Sequence, residues 1–365
     1  MYHYQKSNIY YTGKTPMPYL EILIVGAVLS AGLTLLWLNV EPRRLEIDCF
    51  NLSDLTKLSR KTIFNVAAAP ERTIKTSNSA NASDCIRLRP TLRIAFFSDW
   101  HAGYMLVPQQ KITAAATLLA QEADLCVFAG DLANSARFYA EGLADLALIS
   151  KIMQRYDVPC LAVRGNHDAG LTAADFAAAG FRLLCNDSLA FSLTDGHPFL
   201  IFGADDYRLS HGTALNFALT SNPSFIADLP IHSGHSGHSA KETSNVIDNN
   251  VTTLLIAHNP DSILAMTEPP NYMIAGHFHG GQIYMPWHLE FKLLRHEVLG
   301  RHGLIRGVHI WQKSKLFISR GVGCVCLPWR FLSRPEFSLL EINLPAELTP
   351  EAKASMTKLT MPVKD

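Results

Sequence analysis

The sequence predicts an α/β sandwich with one apolar helix ahead of it. Three observations lead there. From about residue 91 strand-like apolar runs alternate with helix-like ones, polar residues of metal-ligand type recur directly after the strand-like runs, and an uncharged apolar stretch stands near the N-terminus. Several of the strand-like runs are continuously apolar, as expected of central strands covered on both faces.

The apolar stretch comes first. Residues 22–38 carry no charge, and extending the run from Leu20 to Val40 adds only Glu21 and Asn39. That gives the roughly 20 residues a bilayer core requires. A cleaved signal peptide is the competing reading, but the run exceeds a typical signal core and no small-x-small cleavage site follows it cleanly. Lys6 and Lys14 precede the stretch, whereas Arg43, Arg44, Lys57, Arg60 and Lys61 follow it. The positive-inside rule therefore favours a cytoplasmic body after the helix.

Beyond it, LEIDCF at 45–50 alternates like a short strand, and residues 70–83, rich in Thr, Ser, Asn and Ala, read as a surface insertion. The regular rhythm begins near Thr91: LRIAFF, the Ala/Leu-rich helix-like segment 112–121, LCVFA, a second helix-like segment at 143–156, and CLAV. FLIFG (199–203), TLLIA (253–257), YMIA (272–275) and KLFIS (315–319) follow as strands with fewer helices between them, so the second half is expected to be richer in β-structure. Between two of these runs lies IHSGHSGHS, residues 231–239, in a polar loop from about 221 to 250. Such tracts can gather metal ions, but Gly and Ser give this one no fixed geometry, and it reads as a flexible insertion.

Composition narrows the function classes. The chain has 365 residues, 48% of them hydrophobic, enough for a substantial core. With 32 basic against 32 acidic residues and no long basic run, a nucleic-acid groove is not expected. Seven scattered cysteines fit a reducing compartment and ordinary buried thiols better than a disulfide framework.

The chemistry lies after the strands. LRIAFF is followed by Ser98, Asp99, Trp100 and His101; LCVFA by Gly130 and Asp131; CLAV by Arg164, Gly165, Asn166, His167 and Asp168; TLLIA by His258; and YMIA by GHFHGG, with His277 and His279. In an open α/β sheet the carboxyl ends of strands converge on one rim, where ligands bind. Asp, Asn and His without Cys form a set of hard and borderline ligands suited to Mn, Fe or Zn. Eight of them, Asp99, His101, Asp131, Asn166, His167, His258, His277 and His279, exceed what one ion needs and point to two ions sharing a carboxylate, the usual device for phosphoester hydrolysis.

Taken in order, D-x-H, GD, GNHD, H and GHxH resemble the motifs of the calcineurin-like metallophosphoesterase superfamily over roughly residues 91–340. The resemblance implies a four-layer α/β/β/α sandwich with mixed sheets, here preceded by one transmembrane helix. With the residue patterns above, it divides the chain into an N-terminal tail (1–18), the transmembrane helix (19–40), a juxtamembrane strand and polar insertion (41–90), a catalytic domain (91–347) and a C-terminal tail (348–365). It also implies two divalent ions, Mn first and Fe or Zn as alternatives. Asp99, His101 and His279 would hold one, Asn166, His258 and His277 the other, and Asp131 would bridge both. His167 would act as leaving-group acid or transition-state stabiliser, with Asp168 orienting its ring, while metal-activated hydroxide attacks phosphorus. Trp100 and Phe278 depart from the usual Leu and Thr or Ser, and packing is the favoured role for both.

GADD (203–206), HNPD (258–261), GHFHGGQIYMP (276–286), SRGVG (319–323), Arg330, Pro335 and Glu336 are similar to the membrane-anchored bacterial branch of that superfamily. The branch includes enzymes that hydrolyse UDP-2,3-diacylglucosamine in lipid A synthesis. This resemblance implies a single-pass protein of the inner membrane acting on a phosphorylated, lipid-linked substrate, with Asp205 and Arg320 near the site, either supporting the ligands or contacting the phosphate. A broad phosphodiesterase or phosphatase is the alternative, and a non-catalytic metal-binding scaffold a remote one, since no ligand position is lost. The mixtures of aromatic, aliphatic and basic residues at 285–296 and 327–332 read either as a membrane-facing lip or as an amphipathic core helix and a strand edge.

Overall fold

The computed structural model describes residues 17–58, 91–192, 198–206, 224–225, 252–266 and 269–343. The polar stretch 70–83, the His-rich tract 231–239 and the C-terminal tail lie outside the described residues. Helix α1 (Met17–Val40) comes first. The stretch Ile22–Arg43, running from α1 into the turn that follows it, has a window of mean hydropathy 2.1 with no share buried against the body, and is long and apolar enough to cross a membrane.

Strands β1 (Glu46–Asn51), β2 (Thr56–Leu58), β3 (Thr91–Phe97), β4 (Leu125–Phe128), β5 (Cys160–Ala162), β6 (Arg182–Leu183) and the late β14 (Glu336–Asn343) form the first sheet, in the order β2-β1-β14-β3-β4-β5-β6. The second sheet runs β12-β13-β11-β10-β8-β7-β9, from β7 (Asp187–Ser192), β8 (Pro198–Gly203), β9 (Ser224–Phe225), β10 (Thr252–Ala257), β11 (Tyr272–Ala275), β12 (Gly307–Trp311) and β13 (Ser314–Ile318). Both sheets are mixed. β3 to β6 pair in parallel while β14 lies antiparallel to β3, and β8, β10, β11 and β13 are parallel while β12 is antiparallel to β13 and β7 is antiparallel to β8 but parallel to β9.

Strand periodicity explains the layers. On β3, Leu92, Ile94 and Phe96 face the second sheet and meet Leu254, Ile256, Ile274 and Phe317. The alternate residues Ala95 and Phe97 face the other way, against helices α2 (Gln109–Ala120) and α3 (Tyr139–Gln154), where Ile112, Leu119, Leu146 and Ile149 are buried. Short α4 (Ala173–Ala178) completes this layer, starting from a capping box in which Thr172 and Asp175 satisfy each other's backbone N–H groups. The outer face of the second sheet is covered more thinly, by Phe278, Phe291, Leu299 and Ile305 on single turns and the short helices α5 (Leu289–Leu293) and α6 (Val298–Arg301). The four-layer α/β/β/α arrangement is thus present.

Expected elements are found close to where they were placed, with α3 starting four residues earlier. The expected start of the domain near Thr91 needs correction, because β1 pairs in parallel with β14, Glu46 opposite Glu336. A pairing across that sequence distance leaves no periodic mark, which is why the strand read as juxtamembrane. All six described cysteines are free thiols, and Trp100 and Phe278 are fully buried packing residues.

Candidate metal centre

Five strands of the two facing sheets end at one rim. Directly beyond β3, β4, β5, β10 and β11 stand Asp99 and His101, Asp131, Asn166 and His167, His258, and His277 and His279. Asp99, His101, Asp131, His277 and His279 all have positive φ, between 48° and 69°. Left-handed backbone is costly for residues with a Cβ, and it persists only where surrounding structure fixes it. Two glycines make room for the carboxylates. A Cβ on Gly276 would stand 2.5 Å from Asp99 Oδ2, and one on Gly165 would run into the Asp131 carboxylate.

The side chains form two groups and an overlapping third set, His101 with Asp131 and His167. In the first, His279 Nε2 lies 3.3 Å from Asp99 Oδ1 and 3.1 Å from His101 Nε2. In the second, His258 Nε2 lies 3.2 Å from Asp131 Oδ2 and 3.1 Å from His277 Nδ1. Asp131 Oδ2 joins the groups, being also 3.6 Å from His101 Nε2. Each group offers three ligand atoms within 4.8 Å of one another.

Tautomers sharpen the fit to cations. His258 Nδ1–H donates to the carbonyl of Ala129 at 2.7 Å, so its Nε2 carries a lone pair when the ring is neutral. His277 Nε2–H donates to Glu297 Oε1 at 3.1 Å, so its Nδ1 does likewise. Two lone pairs and a carboxylate oxygen meeting at this distance repel unless a proton or a metal cation lies among them. Ligand bonds of about 2.1 Å at right angles would place donor atoms about 3 Å apart, the spacing seen here. Asn166 Oδ1 is shielded from solvent with no hydrogen-bond partner, a further donor fitting a cation.

Protonation follows the same field. Burial pulls His258 down, but the Asp131 carboxylate beside it outweighs this and lifts the ring to about 10. Burial raises Asp131 as well, and His258 outweighs it, holding the carboxylate well below its usual range. His101 is pushed down to about 3 by burial and offers a neutral imidazole.

The surrounding hydrogen bonds hold these groups in place. Asp99 accepts from the Ser98 hydroxyl at 2.6 Å and from the His277 N–H at 3.0 Å, tying the first motif to the last. Glu297 grips His277 while accepting from Arg295 at 2.8 Å, and it stays below its ordinary range because these two donors outweigh its burial. Carboxylates behind a ligating imidazole fix its ring and raise its basicity. Glu297→Ala is expected to weaken metal affinity about 10- to 100-fold with little change in fold, measured by titrating the metal-free protein.

His167 sits at the junction. Its Nδ1–H donates to the carbonyl of Asn134 at 3.3 Å, its backbone N–H to Asp131 Oδ1 at 2.9 Å, and its carbonyl accepts from Tyr139 at 2.7 Å. Its ring stands edge-on to His101, 5.1 Å between centroids. His167→Ala is expected to keep both ions by elemental analysis yet lower kcat by about 10²- to 10⁴-fold.

One expected role changes and two are narrowed. Asp168 does not orient His167, because its carboxylate is engaged by the backbone N–H groups of Asp131, Leu132 and Gly165 at 2.7, 2.8 and 2.9 Å. Asn134 does that work instead. Asp205 makes a two-pronged ion pair with Arg164, at 2.6 and 2.9 Å, and so buttresses the strand end that carries Asn166. Arg320 is taken up by Glu336, Asp48 and Glu46, at 2.6, 2.7 and 3.1 Å, which neutralises its guanidinium.

Sequence reasoning missed Asn134, Tyr139 and Glu297 as partners of the site, and missed what Arg330 does there. Arg330 is wholly buried, donates to the carbonyls of Arg320 and Ser333 at 2.9 Å, and lies 3.3 Å from His279 Nδ1. Asn134, three residues after Asp131, was findable by proximity. Glu297 follows the last motif by eighteen residues across irregular chain and left no signal.

Two carboxylate-linked donor groups on the rim of a four-layer sandwich define a metallohydrolase site. Residues 92–300 match the calcineurin-like phosphoesterase family, and the chain belongs to that family of phosphoester hydrolases. Among its relatives, the uncharacterized metallophosphoesterase YkuE of Bacillus subtilis is 26% identical over 75% of this chain and 84% of its own length. Phosphodiesterase YaeI of Escherichia coli is 25% identical over 68% of this chain and 82% of its own. The UDP-2,3-diacylglucosamine pyrophosphatase LpxG of Chlamydia trachomatis is 24% identical over 68% of this chain and 83% of its own.

Proposed function

We propose that this protein is a membrane-anchored two-metal hydrolase that cleaves the pyrophosphate of UDP-2,3-diacylglucosamine, releasing UMP and an acylated sugar phosphate for lipid A synthesis. The observation that carries the two-metal reading is the pair of donor groups joined at Asp131. The lipid-linked substrate rests on α1 as an anchor and on the activity in the name of LpxG. Anchoring confines the rim near lipid headgroups, on the cytoplasmic side of the inner membrane by the charge bias around α1.

Asp99, His101 and His279 would hold one ion and Asn166, His258 and His277 the other, with Asp131 shared. Divalent ions, Mn first, supply Lewis acidity and lower the pKa of water at such a site. The protein's own part is to orient and to move a proton. Asn134 keeps Nδ1 of His167 as a donor, so Nε2 is the atom available to protonate the departing phosphate oxygen. Asp168 holds the two loops that carry Asp131 and His167 in register.

The test is incubation of the detergent-solubilised full chain with Mn²⁺ and UDP-2,3-diacylglucosamine. UMP release is expected. Hydrolysis of an aryl phosphodiester without UMP release would favour the second reading, a broad phosphodiesterase, which the name of YaeI supports.

A further inference from the structure

The end of α1 is fastened to the body. After Val40 the chain makes a single turn, Glu41–Arg43, closed by the Arg44 N–H on the Glu41 carbonyl at 3.0 Å. Glu41 is 1% exposed, an unusual place for a carboxylate beside an apolar helix. One of its oxygens accepts from the Ser333 N–H at 2.6 Å, and the other accepts from the Trp37 indole one turn back. The Arg330 N–H reaches the Leu38 carbonyl at 3.4 Å, and Lys111 Nζ donates to the Arg43 carbonyl at 3.1 Å. Ser333 in turn donates from Oγ to the carbonyl of His279 at 2.6 Å. Two hydrogen-bonded residues thus separate the helix exit from the metal centre.

The segments next to this joint carry exposed apolar groups. Residues 282–284 run beside Phe331, with Phe331 N–H on the Gln282 carbonyl at 2.8 Å and Tyr284 N–H on the Phe331 carbonyl at 3.0 Å. Gln282 also holds the carbonyls of Val325 and Leu327 at 3.0 Å. On these paired segments and on α5 beyond them, Trp287 is 75% exposed, Leu293 73%, Leu294 71%, Leu332 53% and Leu327 44%. Trp287 also has a positive φ of 55°, so strained backbone presents a large indole to the outside. Exposed Lys292 lies on α5, and exposed Arg43 and Arg44 stand at the exit of α1.

We propose that residues 282–294 and 325–332, fixed to the exit of α1 through Glu41 and Ser333, seat on the surface of an anionic lipid bilayer and hold the metal centre directly above it. The inference rests on the proposed reading of α1 as a membrane anchor. A chain atom hydrogen-bonded to the last turn of a membrane-crossing helix lies at the depth where that helix leaves the hydrocarbon. Trp with Leu beside Lys and Arg is the composition suited to that depth. The joint is a mount rather than a tether, so the rim keeps one pose towards the bilayer.

The test uses the full chain in nanodiscs of phosphatidylcholine and phosphatidylglycerol, with or without bromine on the upper acyl chain. The chain has five tryptophans, so the Trp287 signal is the difference between the parent and Trp287→Phe. That difference should lose about half its intensity or more in brominated discs, as expected of an indole at the interface. A chain that co-elutes with the discs but whose Trp287 signal is unquenched overturns the seating and leaves the anchor standing. Failure to co-elute overturns the anchor reading, and the seating with it. Glu41→Ala should stay in the discs and lose at least about half of the Trp287 quenching, since only the mount is loosened. Unchanged quenching in that variant would overturn the mounting by Glu41.

Discussion

Asp131→Asn is expected to lower kcat/KM for a phosphoester by at least about a thousandfold, some 4 kcal/mol of transition-state stabilisation, while the fold survives. Asparagine still offers an oxygen to the His167 N–H, now 2.9 Å from Asp131 Oδ1, so the loop contact is retained. What goes is the negative charge between His258 and His101, at 3.2 and 3.6 Å. Without it the two donor groups lose the atom they share. Elemental analysis should find fewer than two ions per chain, and the thermal midpoint of the metal-free protein should move little. Turnover within a fewfold of the parent would remove Asp131 from its bridging role.

The second large effect is expected at Asp168, and on stability. Its carboxylate is wholly buried and accepts three backbone N–H groups from the two loops that follow β4 and β5. Asp168→Ala leaves those donors unpaired in the interior and should cost about 3–5 kcal/mol. In a body of this size that is a fall of about 10 °C in the unfolding midpoint. Activity should fall with it, because Asp131 and His167 are placed by those loops. A midpoint within a degree or two of the parent would show that the N–H groups find other acceptors. Burial and the nearby Asp131 raise the Asp168 carboxyl to about 7, whereas the three N–H donors favour its ionised form. The contest between them marks Asp168 as a group that stiffens the loops at some electrostatic cost.

Legibility varied with the kind of physics involved. The inner strands were readable because burial on both faces writes a continuous apolar run, as in TTLLIA at 252–257, where all but the first residue are buried. The rim residues were readable because strand ends repeat one chemical theme in a fixed order. β14 was not expected as a strand, because polar residues interrupt its apolar pattern, although six of its eight residues from Glu336 to Asn343 are buried. Ser338, for example, is buried but spends its hydroxyl on Glu336. Arg320 misled for a related reason. A lone arginine after a strand looks like an anion binder until Glu46 and Asp48, more than 270 positions away, are seen to neutralise it. Asp168 misled because an acidic residue next to a histidine suggests a side-chain partner, whereas its hydrogen bonds run to the backbone.

The strand order of the first sheet has a consequence for biosynthesis. β14 lies between β1 and β3, so the strand that follows the apolar helix has no lasting neighbour on that side until residues near 343 have been made. If the helix enters the membrane first, the growing chain waits there with unpaired strand edges open to other chains. Closure then joins segments almost 300 positions apart, a slow kind of pairing. A ribosome stalled before β14 would leave at the membrane a body whose motifs are all translated and whose first sheet is still in two pieces.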